Sequence, residues 1–184
     1  LGLPGSGKST VGLKLAKILN LGFCDLDSWI ELGLQKKISE IFLKEGEAYF
    51  RNIENKVLRN FLESKNQVIA VGGGVVEAPG NIEVLKDLGV CIWLDISPHV
   101  ISRRLLKDKV NLEKRPIFYK DEHKTSRLDE AENIENKLKQ LLDKRAKYYN
   151  NSHIRLKEDY AEPDILAKIL RDILIKYKNK NLKN

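Results

Sequence analysis

The sequence predicts an α/β domain, a parallel sheet with helices on both faces. Two observations predict it. Apolar strand-like runs alternate with helical segments along the chain, which is the pattern of crossover connections. And Gly2-Leu3-Pro4-Gly5-Ser6-Gly7-Lys8-Ser9 fits G-x-x-x-x-G-K-[ST], the phosphate-binding loop that joins a strand to a helix. With 184 residues, 42% of them hydrophobic, the chain suffices for one domain with a full core.

The elements follow in order. A first strand belongs before Gly2, where the chain has almost nothing; it also contains no methionine, so we expect a few residues to be missing from the start. Val11, Leu13, Leu15, Ile18 and Leu19 carry the apolar stripe of a helix over 9–19. Residues 21–27 hold a short apolar run that ends in acids, a second strand. Helices are expected over 29–34, 38–43 and 45–64. Residues 67–71 form a strand that runs into Gly72-Gly73-Gly74, and a helix follows over 81–88. Residues 90–95 (VCIWLD) are another strand, and Ser97-Pro98 opens a helix over 98–106. A helix over 130–150, a weaker strand over 152–156 and a helix over 163–177 complete the chain. Residues 107–127 are charged, sparsely apolar and interrupted by Pro116. They read as a long surface excursion, functional in a nucleotide enzyme as a lid.

Composition excludes some classes. No apolar run approaches the ~18–20 residues of a membrane span. The net charge of +7 invites a nucleic-acid reading, but Lys176, Lys178, Lys180 and Lys183 in the acid-free last nine residues leave only +3 (7 − 4) for the rest. That tail, 176–184, is expected to fray, leaving 1–175 as the single domain. Cys24 and Cys91 lack metal-ligand spacing and read as reduced buried thiols of a cytosolic protein; a redox role for Cys24 is the alternative.

The loop supplies nucleotide chemistry. Gly2, Gly5 and Gly7 allow successive backbone N–H groups to point at one anion. Lys8 brings a charge to the β/γ-phosphates, Ser9 a hydroxyl to Mg²⁺, and the following helix the positive end of its dipole. Four further features narrow the chemistry. Asp25-x-Asp27, at i and i+2 of a strand, can present both carboxylates to one crevice, one toward a magnesium shell and one toward a hydroxyl proton; Asp27 as a helix N-cap is the alternative. Arg51 has Glu47 at i−4 and Glu54 at i+3, the spacing of surface ion pairs or of a site arginine. The glycine triplet makes room for a ligand against the backbone. Arg103-Arg104, Arg115 and Arg145 are late guanidinium groups suited to phosphate or carboxylate.

Taken together, GLPGSGKST, the DLD at 25–27, EAYFRNIE with Arg51, GGGVV at 72–76, the RP at 115–116 and KRAKYY at 144–149 resemble shikimate kinase in order and near spacing. The resemblance covers Gly2 to about Ile173. It implies a P-loop NTPase fold of the nucleoside-monophosphate-kinase-like type, with a five-stranded parallel sheet of order 2-3-1-4-5. It implies transfer of the ATP γ-phosphate to the 3-hydroxyl of shikimate, a step of aromatic amino acid biosynthesis, with Mg²⁺. Carried over residue by residue, Gly5, Ser6, Gly7, Lys8, Ser9 and Thr10 hold the triphosphate, and Asp25 supports the metal through water. Asp27 binds substrate hydroxyls and is the candidate base. Arg51 and Arg145 take the carboxylate, and the backbone of Gly72, Gly73 and Gly74 lines the substrate. Arg115 reaches the phosphates from the lid, and Arg104 and Pro163 flank the adenine. A cytoplasmic monomer with small-molecule partners, and with neither nucleic acid nor membrane, is expected. The lysine-rich lid and the basic tail depart from the family pattern. A gluconate-kinase-like enzyme and a non-catalytic ligand-sensing module are the alternatives.

Overall fold

The computed structural model describes residues 1–63, 65–107 and 127–181; the predicted lid, apart from its two ends, lies outside them, and so does Arg115. Helices α1 (Lys8–Leu19), α2 (Leu26–Leu34), α3 (Ile38–Lys44), α4 (Gly46–Asn60), α5 (Asn81–Leu88), α6 (Pro98–Lys107), α7 (Arg127–Tyr149) and α8 (Pro163–Asn181) alternate with strands β1 (Gly22–Asp25), β2 (Gln67–Ala70), β3 (Ile92–Leu94) and β4 (Ile154–Leu156).

The strands form two parallel pairs. β1 lies beside β2 with Gly22 opposite Gln67 and Asp25 opposite Ala70. β3 lies beside β4 with Ile92 opposite Ile154. Leu1 continues the second pair: its amino group donates to the Ile92 carbonyl at 2.6 Å, and the Leu94 N–H donates to the Leu1 carbonyl at 2.9 Å. Between β2 and β3 runs a cavity of about 790 Å³ lined by Val68, Ala70, Ile92, Leu94 and Leu15. This is the place that the order 2-3-1-4-5 gives to a first strand. The expected continuous five-stranded sheet is therefore present, among the described residues, as its two halves in the expected order. Residues 1–3 are too few to pair with both halves at ~3.3 Å per residue.

Two apolar clusters cover the sheet. Val11 and Leu15 of α1 pack with Leu166, Ala167 and Leu170 of α8 on one face. Leu26, Ile30, Phe50, Leu58, Val75, Ile134 and Leu138 belong to the larger cluster, which joins α2, α4 and α7. Each such side chain contributes roughly 1.5–3 kcal/mol when fully buried.

Two sequence expectations are corrected. The second strand stops at Asp25, and Asp27 sits in the first turn of α2 rather than two places along a strand. The cause is local: the Asp25 carboxylate accepts from the Ser28 N–H at 3.0 Å, so Asp25, not Asp27, is the cap. The basic tail does not fray at residue 176. α8 continues through Asn181 with Lys176, Lys178 and Lys180 on it, anchored by Leu170, Ile173 and Leu174 against the second cluster. Lysine is a good helix former, and an anchored helix propagates readily through such residues.

Candidate active site

The phosphate-binding loop turns through left-handed backbone at Gly5 (φ 85°) and Gly7 (φ 92°). At Gly5 space is also short: a Cβ would stand 2.8 Å from Cγ2 of Ile101 on α6. Gly7 caps α1, whose first turn contains no acid of its own, and the positive end of the helix dipole faces the loop. Ser6 is fully buried, and its N–H donates to the Leu3 carbonyl at 3.2 Å. Lys8 folds back over the loop, with Nζ donating to the carbonyls of Gly2 at 3.1 Å and Leu3 at 2.9 Å. The Ser9 hydroxyl donates to Asp25 Oδ2, which ties the start of α1 to the end of β1. Thr10 is exposed in the first turn of α1.

Beside this loop, Arg104 Nη2 donates to the Asp159 carbonyl at 2.7 Å, and Asp159 Oδ1 accepts from the Ser97 N–H at 2.6 Å. Leu105, next to Arg104, lies against Gly5, and Pro163 opens α8 shortly after Asp159. Arg104 thus ties α6, which packs on the loop through Ile101 and Leu105, to the segment that leads into Pro163.

The glycine triplet gathers the remaining residues. None of its three glycines has a positive φ, so space and not backbone conformation requires them. A Cβ on Gly72 would clash with Glu54 Oε1 and stand 3.0 Å from Asp27 Oδ1. On Gly73 it would stand 3.0 Å from the Gly2 carbonyl, 3.3 Å from Cδ of Pro4 and 3.3 Å from Nη1 of Arg145. On Gly74 it would strike the Arg51 guanidinium, 2.7 Å from Cζ. Asp27, Arg51 and Arg145, separated by up to 118 positions (145 − 27), therefore converge on one stretch of backbone, and that stretch touches the phosphate loop.

Each guanidinium is held by neighbouring carboxylates. Arg51 Nη1 donates to Glu54 Oε2 at 2.7 Å, while Nε and Nη2 donate to Glu47 Oε1 at 3.3 and 3.1 Å. Burial opposes the Arg51 charge, yet Glu54 and Glu47 hold its pKa above the ordinary value. Arg145 is 4% exposed, and its Nε donates to Glu77 Oε1 at 2.7 Å. Lys144 pairs with the other oxygen of Glu77. Burial pushes the Glu77 carboxyl up, but the hydrogen bonds from Lys144 and Arg145 prevail and hold it low. One turn along α7, the Tyr149 hydroxyl donates to the Gly73 carbonyl at 2.7 Å, and burial pushes its pKa up to about 12.

Glu54, Glu77 and Tyr149 are the parts that sequence reasoning missed. Glu54 is 1% exposed, not a surface partner. Its signal was present: Phe50, Glu54 and Leu58 recur at every fourth position, and all three are buried. Glu77 carries no comparable sequence signal. Cys24 and Cys91 are both free and buried, as expected, and burial raises both thiol pKa values, which disfavours thiolate chemistry.

Comparison with known proteins gives one answer. The family model for shikimate kinase matches residues 4–174. A shikimate kinase of Persephonella marina is 36% identical over 163 residues, covering 89% of each chain. One from Sulfurihydrogenibium is 34% identical over 181 residues, covering 98% of this chain and 96% of the relative. Among solved structures, shikimate kinase from Acinetobacter baumannii in complex with shikimate superposes with a TM-score of 0.83 at 32% identity, covering 96% of this chain and 91% of the other. A phosphate loop set against a two-arginine, two-carboxylate pocket, carried on a fold and sequence that match along nearly their whole length, makes this chain a member of the shikimate kinase family.

Proposed function

We propose that the protein transfers the γ-phosphate of ATP to the 3-hydroxyl of shikimate, giving shikimate 3-phosphate and ADP. The observation that carries this reading is at Gly73. The small space beside its α-carbon is bounded jointly by the phosphate loop, at the Gly2 carbonyl and Pro4, and by Arg145, which supports donor and acceptor pockets that adjoin there. An acidic polyol needs planar cations for its carboxylate and carboxylates for its hydroxyls, and the triplet has both around it.

The roles follow from chemistry. The backbone amides from Gly5 to Thr10 and the α1 dipole receive the triphosphate, and Lys8 swings from its loop carbonyls to the β/γ-oxygens. Ser9 and Asp25, already joined, offer a hydroxyl and a carboxylate, oxygen donors that would suit Mg²⁺, Asp25 through water. Mg²⁺ supplies charge neutralisation for the transferred group. Arg51 and Arg145 receive the carboxylate. Asp27 orients the acceptor hydroxyl and takes its proton as the new P–O bond forms. Gly72, Gly73 and Gly74 let the ring lie against bare backbone. Arg104 and Pro163 flank the base, and Arg115 acts from the lid. Phosphoryl transfer depends mainly on positioning and charge, which is what these residues provide.

Free buried cysteines support a reducing compartment, and we read the protein as a cytoplasmic monomer acting on small molecules. No described helix is long and apolar enough to cross a membrane. An ADP-release assay against a panel of hydroxy acids tests the substrate. Turnover with shikimate and none with gluconate is expected; the reverse would replace the assignment with a gluconate-kinase-like one. Binding of both substrates without ADP release would make the protein a sensing module.

A further inference from the structure

A guanidinium has two hydrogen-bonding edges, and a carboxylate can be gripped bidentately by only one at a time. In this protein one edge of Arg145 is already taken. Its Nε donates to Glu77 Oε1 at 2.7 Å, while its Nη1 lies at the glycine triplet, 3.3 Å from where a Gly73 Cβ would be. Glu77 itself is anchored. It ends the short 3-10 turn Val75–Glu77 directly after the triplet, its N–H donates to the Gly74 carbonyl at 3.0 Å, and its second oxygen pairs with Lys144. The Arg145 side chain is 5% exposed and that of Glu77 17%, so solvent competes little for this contact.

We propose that Glu77 is a positioning residue for the acceptor carboxylate. By occupying Nε it fixes the plane of the Arg145 guanidinium and presents the Nη1/Nη2 edge to the substrate. The inference rests on the reading that Arg145 receives that carboxylate. It adds a specificity device to it: the triplet and its 3-10 turn both make room for the arginine and aim it.

The chemistry separates aiming from mere support. A residue that only stabilises the fold affects acidic and neutral ligands alike. A residue that aims a bidentate cation affects the acid more. The readout is therefore the ratio of kcat/KM for shikimate to that for its carboxamide, in which a neutral group replaces the carboxylate. Glu77→Ala is expected to lower this ratio about 10- to 100-fold, through KM for shikimate, with kcat and the KM for ATP little changed. Glu77→Gln keeps an acceptor oxygen at the same reach and is expected to restore most of the ratio. Lys144→Ala leaves the Nε contact in place and should hold the ratio within about 2-fold.

Should the alanine variant fail to fold, Glu77→Asp carries the test. It keeps the charge but withdraws the acceptor by about 1.5 Å, one C–C bond, and is expected to lower the ratio as well. A wild-type ratio in Glu77→Asp or Glu77→Ala overturns the proposal, as does an equal loss in Lys144→Ala, which would make the Glu77–Lys144 pair rather than the Nε contact the cause. Arg145→Lys tells the two levels apart. If it leaves the ratio unchanged, the carboxylate reading itself falls and the proposal with it. If it collapses the ratio while the Glu77 variants do not, only the role of Glu77 falls.

Discussion

Gly74→Ala is the sharpest test of the convergence on which the site depends. Gly74 has φ −95°, a conformation open to alanine, so the backbone tolerates the change and the unfolded chain loses some freedom. The added methyl, however, would stand 2.7 Å from Arg51 Cζ and 2.9 Å from Nη1. Ordinary contact begins at 3.4 Å, and Nη2 lies nearer still than Cζ, so the guanidinium must retreat by about 1 Å. It is tethered by the 2.7 Å bond from Nη1 to Glu54, and a displacement of that size breaks or bends that bond. Losing a charge-assisted bond to a buried carboxylate costs about 1.5–3 kcal/mol, and the entropy gain returns about 0.4–1 kcal/mol. The net expectation is a loss of about 1–2 kcal/mol in urea-unfolding free energy. Displacement of a positioning group by about 1 Å lowers turnover efficiency by about 10²-fold, and here the loss should appear chiefly in the KM for shikimate. Coupled ADP-release kinetics measure it. Gly33→Ala is the control: nothing lies within 4 Å of its added methyl, and it should gain about 0.5–1 kcal/mol within α2 without changing KM. A Gly74→Ala enzyme with wild-type KM would refute the placement of Arg51 in the acceptor pocket.

Three other outcomes are expected. Asp27→Asn should retain ATP binding, measured by calorimetry, while kcat falls about 10²- to 10⁴-fold; an unimpaired rate would remove Asp27 from the proton-accepting role, since a loose transition state needs little base assistance. Ser9→Ala should raise the Mg²⁺ concentration for half-maximal rate at least about 10-fold without changing the KM for shikimate, and an unchanged Mg²⁺ profile counts against the Ser9–Asp25 pair as the metal support. The pH dependence of stability should differ in sign between two glutamates of the same pocket. Burial chiefly raises the Glu54 pKa, so the native state holds the extra proton between the unfolded and folded values, and stability falls as pH rises through that window. Glu77 is depressed, so its contribution is present above the unfolded pKa and is lost as pH falls through the folded one. Urea midpoints of Glu54→Gln relative to the parent should improve from acid toward neutral pH, whereas those of Glu77→Gln should worsen. The same slope for both would contradict the burial and pairing described here.

Much of the fold was legible because its elements carry local signals. The helix over 81–88 matched residue for residue, since Gly80 and Gly89 bracket one apolar face. β1 was misjudged by two residues at its end because two acids competed for one cap, and only three-dimensional geometry awards it to Asp25. The tail was misjudged because charge alone says nothing about anchoring from Ile173 and Leu174. In the candidate site, the side chains that the sequence singled out do converge on the triplet, whereas the groups that hold them in place were not anticipated. Arg51, Arg145 and Asp27 announce themselves by charge and motif. Glu77 acts through another residue, and nothing in its neighbourhood in the chain records that partner, which lies 68 positions away.

The deeper asymmetry concerns the glycines. A triplet after a strand reads as flexibility, and flexibility suggests a turn or a ligand-binding backbone. In the folded molecule the triplet is the most crowded stretch of the pocket, with Glu54 and Asp27 at Gly72, Arg145 and the phosphate loop at Gly73, and Arg51 at Gly74. Each glycine is needed for a different neighbour, so the three positions are not interchangeable. Gly73 also has its carbonyl held by Tyr149, four residues beyond Arg145 on the same helical face, so one helix fixes both the cation and the backbone it serves. This coupling explains how a site assembled from distant segments keeps its spacing: the arginine and the wall opposite it move with α7 together. A substrate carboxylate placed there would meet a geometry set by packing before binding, and binding energy could then be spent on the transferring phosphoryl group rather than on ordering the pocket.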